Sequence, residues 1–123
     1  MIRASAPVRL DFAGGWTDVP PFASREGGVV VNAAIDLRVE AEFEPGGEGI
    51  LIHSEDLDLS TRITRATELV PDGRLELHKA ALRMFPTGPG VLRTRSAVPS
   101  GSGLGSSGAL DVALVAVLSA ARG

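Results

Sequence analysis

The sequence predicts an α+β domain. Three observations carry that expectation. Short segments of alternating polarity, rich in β-branched residues, fill the first half of the chain. A segment with near-helical apolar spacing and a second, strongly apolar one follow, with another alternating stretch between them. That order of strands, helix, strand and helix suits a mostly antiparallel or mixed sheet with helices packed on it. The 123 residues allow about one domain with a single core, and the 44% hydrophobic content is that of a globular chain.

The elements follow in order. "RASAPVRLDF" places Val8, Leu10 and Phe12 on one face and reads as a strand ending near Phe12. "AGGWTDVPPF" is a loop, punctuated by Gly14, Gly15, Pro20 and Pro21. "GGVVVNAAIDLRVEAEF" is one long bent strand or two abutting strands, with Leu37, Val39, Ala41 and Phe43 alternating. "EPGGEG" turns the chain, and "ILIHSE" and "LSTRIT" are two short strands around the acidic turn "EDLD". "RLELHKAALRMF" is a helix with Leu75, Leu82, Met84 and Phe85 at near-helical spacing, stopped by Pro86. "GVLRTRSAV" is a strand. After a glycine–serine loop, "SSGALDVALVAVLSAARG" is a helix with Leu110, Leu114, Val117 and Leu118 inward. This last helix is apolar enough that one flank is left uncovered. The expectation is a partial chain, open to self-association as a homodimer through that flank.

Composition excludes several classes. A net charge of −3 argues against a nucleic-acid partner held by bulk charge. Without cysteine there is neither a disulfide scaffold nor a thiolate zinc site. His53 and His78 lack metal-ligand spacing. No apolar run reaches membrane-spanning length and the N-terminus lacks a signal-like core, so the expected location is the cytoplasm, with no membrane partner.

The loop "PSGSGLGSSG" carries the chemistry. Glycine there costs backbone entropy on folding, and something should offset it. Two readings stand. One is a flexible connection whose serine caps the next helix. The other is an anion cradle, in which glycines let the backbone approach phosphate at a helix N-terminus. No lysine follows, so this is no Walker A loop. Gly103, Gly105 and Gly108 form G-x-G-x-x-G, but the preceding strand alternates through Arg93 and Arg95. A dinucleotide site prefers a strand buried on both faces.

The loop resembles the phosphate-binding motif of the GHMP kinase superfamily, P-x-x-x-G-L-G-S-S-A. Pro99, Gly103, Leu104, Gly105, Ser106 and Ser107 match, and Gly108 stands before the expected alanine. Independently, "APVRLDFAGGWTDVPPF" followed by "GGVVVNAAIDL" resembles the sugar-kinase branch of L-fucose kinases and D-glycero-D-manno-heptose 7-phosphate kinases. The resemblance implies a ribosomal protein S5 domain 2-like fold, with residues 1–123 as an N-terminal ATP-binding domain. That domain would be incomplete at its C-terminus and lack a ferredoxin-like partner domain.

It also implies transfer of the ATP γ-phosphoryl group to a sugar or sugar-phosphate hydroxyl, with ATP and Mg²⁺ as cofactors. A non-catalytic nucleotide-binding module of the same fold is the alternative. By resemblance, Pro99, Gly101, Ser102, Gly103, Leu104, Gly105, Ser106 and Ser107 bind ATP, and Ser107 also offers its hydroxyl to Mg²⁺. Arg9 stabilises charge on the transferring phosphoryl group. Gly14, Gly15, Trp16, Thr17 and Asp18 meet the sugar, with Trp16 either stacking on it or packing in the core. Gly15 and Trp16 replace a glutamate and a histidine of the galactokinase pattern, which disfavours galactose. Asp111 is expected in the first helical turn, complementing the dipole. His78 and Lys79 are read as ordinary helix residues, with a place facing substrate as the alternative. No general base is assigned.

Overall fold

In the computed structural model, which describes residues 1–123, the alternating segments become five strands. They are β1 (Ile2–Ala13), β2 (Val31–Pro45), β3 (Ile50–Ser54), β4 (Leu59–Ile63) and β5 (Gly90–Ser96). The helices are α1 (Phe22–Glu26), α2 (Glu76–Met84) and α3 (Ser106–Arg122). The sheet order is β1-β2-β5-β3-β4, antiparallel throughout except for the parallel pair β3 and β5. α3 lies against β1 and β2 and packs on α2. The mixed α+β expectation holds, and the segment read as one bent strand or two is a single strand that starts at Val31, leaving Gly27 to Val30 outside it.

Pro7 sits inside β1, a place open to proline because β1 is the sheet edge. The β1–β2 register shifts between Pro7 and Val8 and again between Asp11 and Ala13. These bulges bend the strand and carry its last residues beyond the helices' cover. Val8 is therefore buried, while Leu10 and Phe12, expected on the same inward face, are exposed, Phe12 by 66%.

The main core gathers Phe43, Ile52, Leu82, Leu92, Leu114 and Leu118 between the sheet and the two helices. A smaller cluster of Ala6, Val8, Val39, Val98 and Ala109 sits beneath the start of α3. The inward stripe of α3 is Ala109, Ala113, Leu114, Val117 and Leu118, with Leu110 only half-buried. Asp111 is not in the first turn as expected, because the helix begins at Ser106.

Two further expectations are corrected in and around α2, and one alternative is removed. Leu75 is not helical but left-handed, at φ 51°, and caps α2 from a buried position. Met84 is exposed, because the helix ends there before its side chain reaches the core. His78 and Lys79 do not face an open site. His78 is buried, its Nε2 2.7 Å from Thr94 Oγ1, and burial lowers its pKa from 6.5 to about 4. Lys79 is only 4% exposed and reaches Asp72 Oδ1 at 2.6 Å, which holds that carboxyl below its usual range. The one-turn α1, which no sequence signal marked, starts at Phe22, where the segment read as a loop ends.

Candidate active site

The strand-to-helix connection is built by glycine. Gly101, Gly103 and Gly105 sit at φ 78°, 75° and 73°, left-handed values that L side chains rarely adopt. Gly105 is the N-cap of α3, and no side chain caps the helix. The serine-cap reading is thereby corrected. The first backbone bond into the helix runs from Ala109 N–H to the Gly105 carbonyl, 3.1 Å. The amides of Ser106, Ser107 and Gly108 point back toward the loop without a helical acceptor, as at any helix start. Ser100, Ser106 and Ser107 line a cavity of about 130 Å³. Its other walls are Val39, Asp56, Leu57, Leu77, Ser96 and Leu110, so apolar side chains share it with polar ones. Leu104 packs on the smaller core cluster and anchors the loop. Pro99, Gly101, Ser102 and Gly103 form the loop's exposed arch and do not line this cavity.

Arg9 joins this loop to β1. Its backbone N–H donates to the Leu104 carbonyl, 2.9 Å. Its guanidinium lies against Gly105 so closely that a Cβ there would overlap Nη1. The other arm, Nη2, is 3.0 Å from Asp11 Oδ2. Gly105 is thus required twice, by its backbone angle and by the cation resting on it.

A second cavity, about 290 Å³, is lined by Arg9, Asp11, Gly15, Trp16, Asp18 and Asn32, with Val19 and Val30. Trp16 is 83% exposed at φ 72°, which removes the core alternative and leaves its indole at the cavity wall. Gly14 and Thr17 do not line the cavity. Thr17 Oγ1 donates to the Gly14 carbonyl at 2.7 Å and accepts from Val29 N–H at 3.1 Å, tying the turn to the chain leading into β2. A Cβ on Gly14 would overlap the Val29 carbonyl. These two residues shape the wall on which Gly15, Trp16 and Asp18 stand.

Asp11, Asn32 and Asp56 escaped the sequence reading. A period of two places Arg9 and Asp11 on one strand face, so that signal was present. Asn32 enters through the pairing register, Asp11 opposite Asn32, which only the fold reveals. No group of three or more His, Cys, Asp or Glu side chains is placed to hold a metal ion. Burial raises the Asp111 carboxyl pKa above its ordinary value. No helix is long and apolar enough to cross a membrane.

A family model described as the GHMP kinases N terminal domain matches residues 74–123. The crystal structure of a D-glycero-D-manno-heptose 1-phosphate kinase from Bacteroides thetaiotaomicron superposes with a TM-score of 0.82 at 31% identity, over 94% of this chain and 40% of that one. Residues 74–123 thus carry the match to a GHMP kinase N-terminal domain. The D-glycero-alpha-D-manno-heptose 7-phosphate kinase of Campylobacter jejuni is 34% identical over 121 residues, which is 93% of this chain and 36% of that protein. The bifunctional fucokinase/GDP-fucose pyrophosphorylase of Arabidopsis thaliana is 33% identical over 129 residues, 92% of this chain and 12% of that protein. The chain thus spans well under half the length of these relatives. The matched residues hold α2, β5, the glycine loop and α3, while Arg9 and the Trp16 turn precede them.

Proposed function

We propose that this GHMP domain is the ATP-binding N-terminal part of a kinase that phosphorylates a hydroxyl of a sugar or sugar phosphate. One observation carries the reading. Ser106 and Ser107 at the start of α3 line one cavity, and Arg9, wedged against the neighbouring Gly105, lines the other. Phosphoryl transfer is mostly positioning and charge stabilisation, and it needs a phosphate cradle, an acceptor pocket and a cation at their junction.

The residues fit ATP. The loop from Pro99 to Ser107 wraps the triphosphate, and the amides at the start of α3 with the Ser106 and Ser107 hydroxyls meet phosphate oxygens. The apolar walls beside them suit a base. Ser107 would offer its hydroxyl oxygen to Mg²⁺, since no cluster of carboxylates or imidazoles stands by to hold the ion. When bound, the metal neutralises phosphate charge. Arg9 presents fixed donors where negative charge builds on the transferring group. In the larger cavity the Asp18 carboxylate accepts from neighbouring sugar hydroxyls, and Trp16 offers a flat apolar face to the ring. Gly15 leaves room at the wall. The relatives make fucose and a heptose phosphate the first acceptors to try.

The test is a coupled ADP-release assay on the full-length gene product with ATP and Mg²⁺. The acceptors are L-fucose, D-glycero-D-manno-heptose 7-phosphate and galactose. Transfer to fucose or the heptose phosphate, lost in Arg9→Ala by at least about 100-fold, is the expected result. ATP binding without transfer to any of these sugars would overturn the kinase reading in favour of a nucleotide-binding module.

A further inference from the structure

We infer that Asp11 is a positioning residue, which aims the Arg9 guanidinium, seated against Gly105, into the larger cavity. This rests on the kinase reading above. Arg9 is held at three points. Its amide is pinned to Leu104, Nη1 is stopped by Gly105, and Nη2 is paired with Asp11 Oδ2 at 3.0 Å. The first two contacts fix where the side chain leaves the strand and how near the loop it lies. Only the third fixes rotation of the planar head.

Stability does not explain the pair. The Arg9 and Asp11 side chains are 47% and 24% exposed, a setting in which ion pairs add little to folding. Both line the same cavity, however, and Gly15 leaves Oδ2 uncrowded, since even an added Cβ would stay 3.9 Å away. One guanidinium edge is thus committed to Asp11, and the remaining donors are presented as a rigid fork. Without the carboxylate the head turns about its own bond, and the donors spread over several directions. A misdirected donor weakens the transition state more than the bound ground state, so turnover should fall while acceptor affinity holds.

The experiment is a double-mutant cycle on the full-length enzyme with Asp11→Asn and Arg9→Lys. Asp11→Asn should lower kcat at least tenfold and leave the acceptor KM within about threefold. If Asp11 acts through Arg9, the double variant should be no slower than Arg9→Lys alone. Losses that multiply, or a KM rise that accounts for the whole effect, would overturn the proposal. Should Asp11→Asn fail to fold, Asp11→Glu takes its place, with the same coupling to Arg9 required.

A second readout is independent of turnover. In ¹⁵N-arginine spectra, Arg9 should show a guanidinium with slowed rotation that becomes freely averaging in Asp11→Asn. An unchanged signal sinks the proposal even if no sugar is phosphorylated, whereas absent transfer with a changed signal counts only against the kinase reading.

Discussion

The two ends of the β1–β2 ribbon carry the same alternating pattern and meet opposite fates. Near Ile2 and Phe43 the inward residues Ala6, Val8, Val39, Ala41 and Phe43 are buried beneath α3 and its neighbours. Beyond Val8 and Val39 no ribbon residue is fully buried, and Leu10, Phe12, Val31 and Leu37 are exposed. A period of two tells which face a side chain takes. It does not tell whether anything covers that face. The covered end supplies stability, and the open end holds the larger cavity, whose shape comes from backbone contacts and not from a core.

The comparison is tested most severely by truncation. Leu114→Ala at the covered end should cost about 3–5 kcal/mol in urea unfolding, whereas Phe12→Ser at the open end should cost less than about 0.5 kcal/mol. Equal losses would show that the open end also packs. Acidification comes next. His78, buried under the same layer, has a folded pKa of about 4 against an ordinary 6.5, so the unfolded chain takes up the proton first. Stability should be full above about pH 6.5 and fall by about 3 kcal/mol as the pH drops to 4, and His78→Gln should flatten that slope in chemical denaturation at stepped pH.

At the open end, Gly14→Ala should cost about 2 kcal/mol, because φ 79° and the Val29 carbonyl both oppose a Cβ. A neutral result there would deny that the turn is held by its backbone. The smallest effect belongs to the sheet face away from the helices. Glu40 pairs with Arg95 at 2.7 Å in solvent, and Glu40→Gln should move Tm by less than about 3 °C.

Every strand and both long helices were legible, because alternation, turn residues and Pro86 are local signals. What escaped was set by tertiary cover. The exposure of Phe12 and Met84 depends on where helices stop, and the burial of His78 and Lys79 depends on which helix face meets β5 and the 70–74 segment. In the candidate site the glycine loop, Arg9 and Asp18 were readable from motif and order. Asn32 was not, since it meets Asp11 only through a register set by two bulges. Gly14 and Thr17 were legible as important, but their part in bracing the turn needed the contact with Val29.

Lys79, the sole lysine among the 123 residues, is sealed under the 70–74 segment by Asp72 and the Val70 carbonyl. Apart from the terminal amine, the folded domain therefore offers amine-reactive reagents no target. Acylation of that one side chain becomes a clock for the opening of α2, readable by mass without any engineered label. A nucleotide bound at α3, which packs directly on α2, should slow that clock.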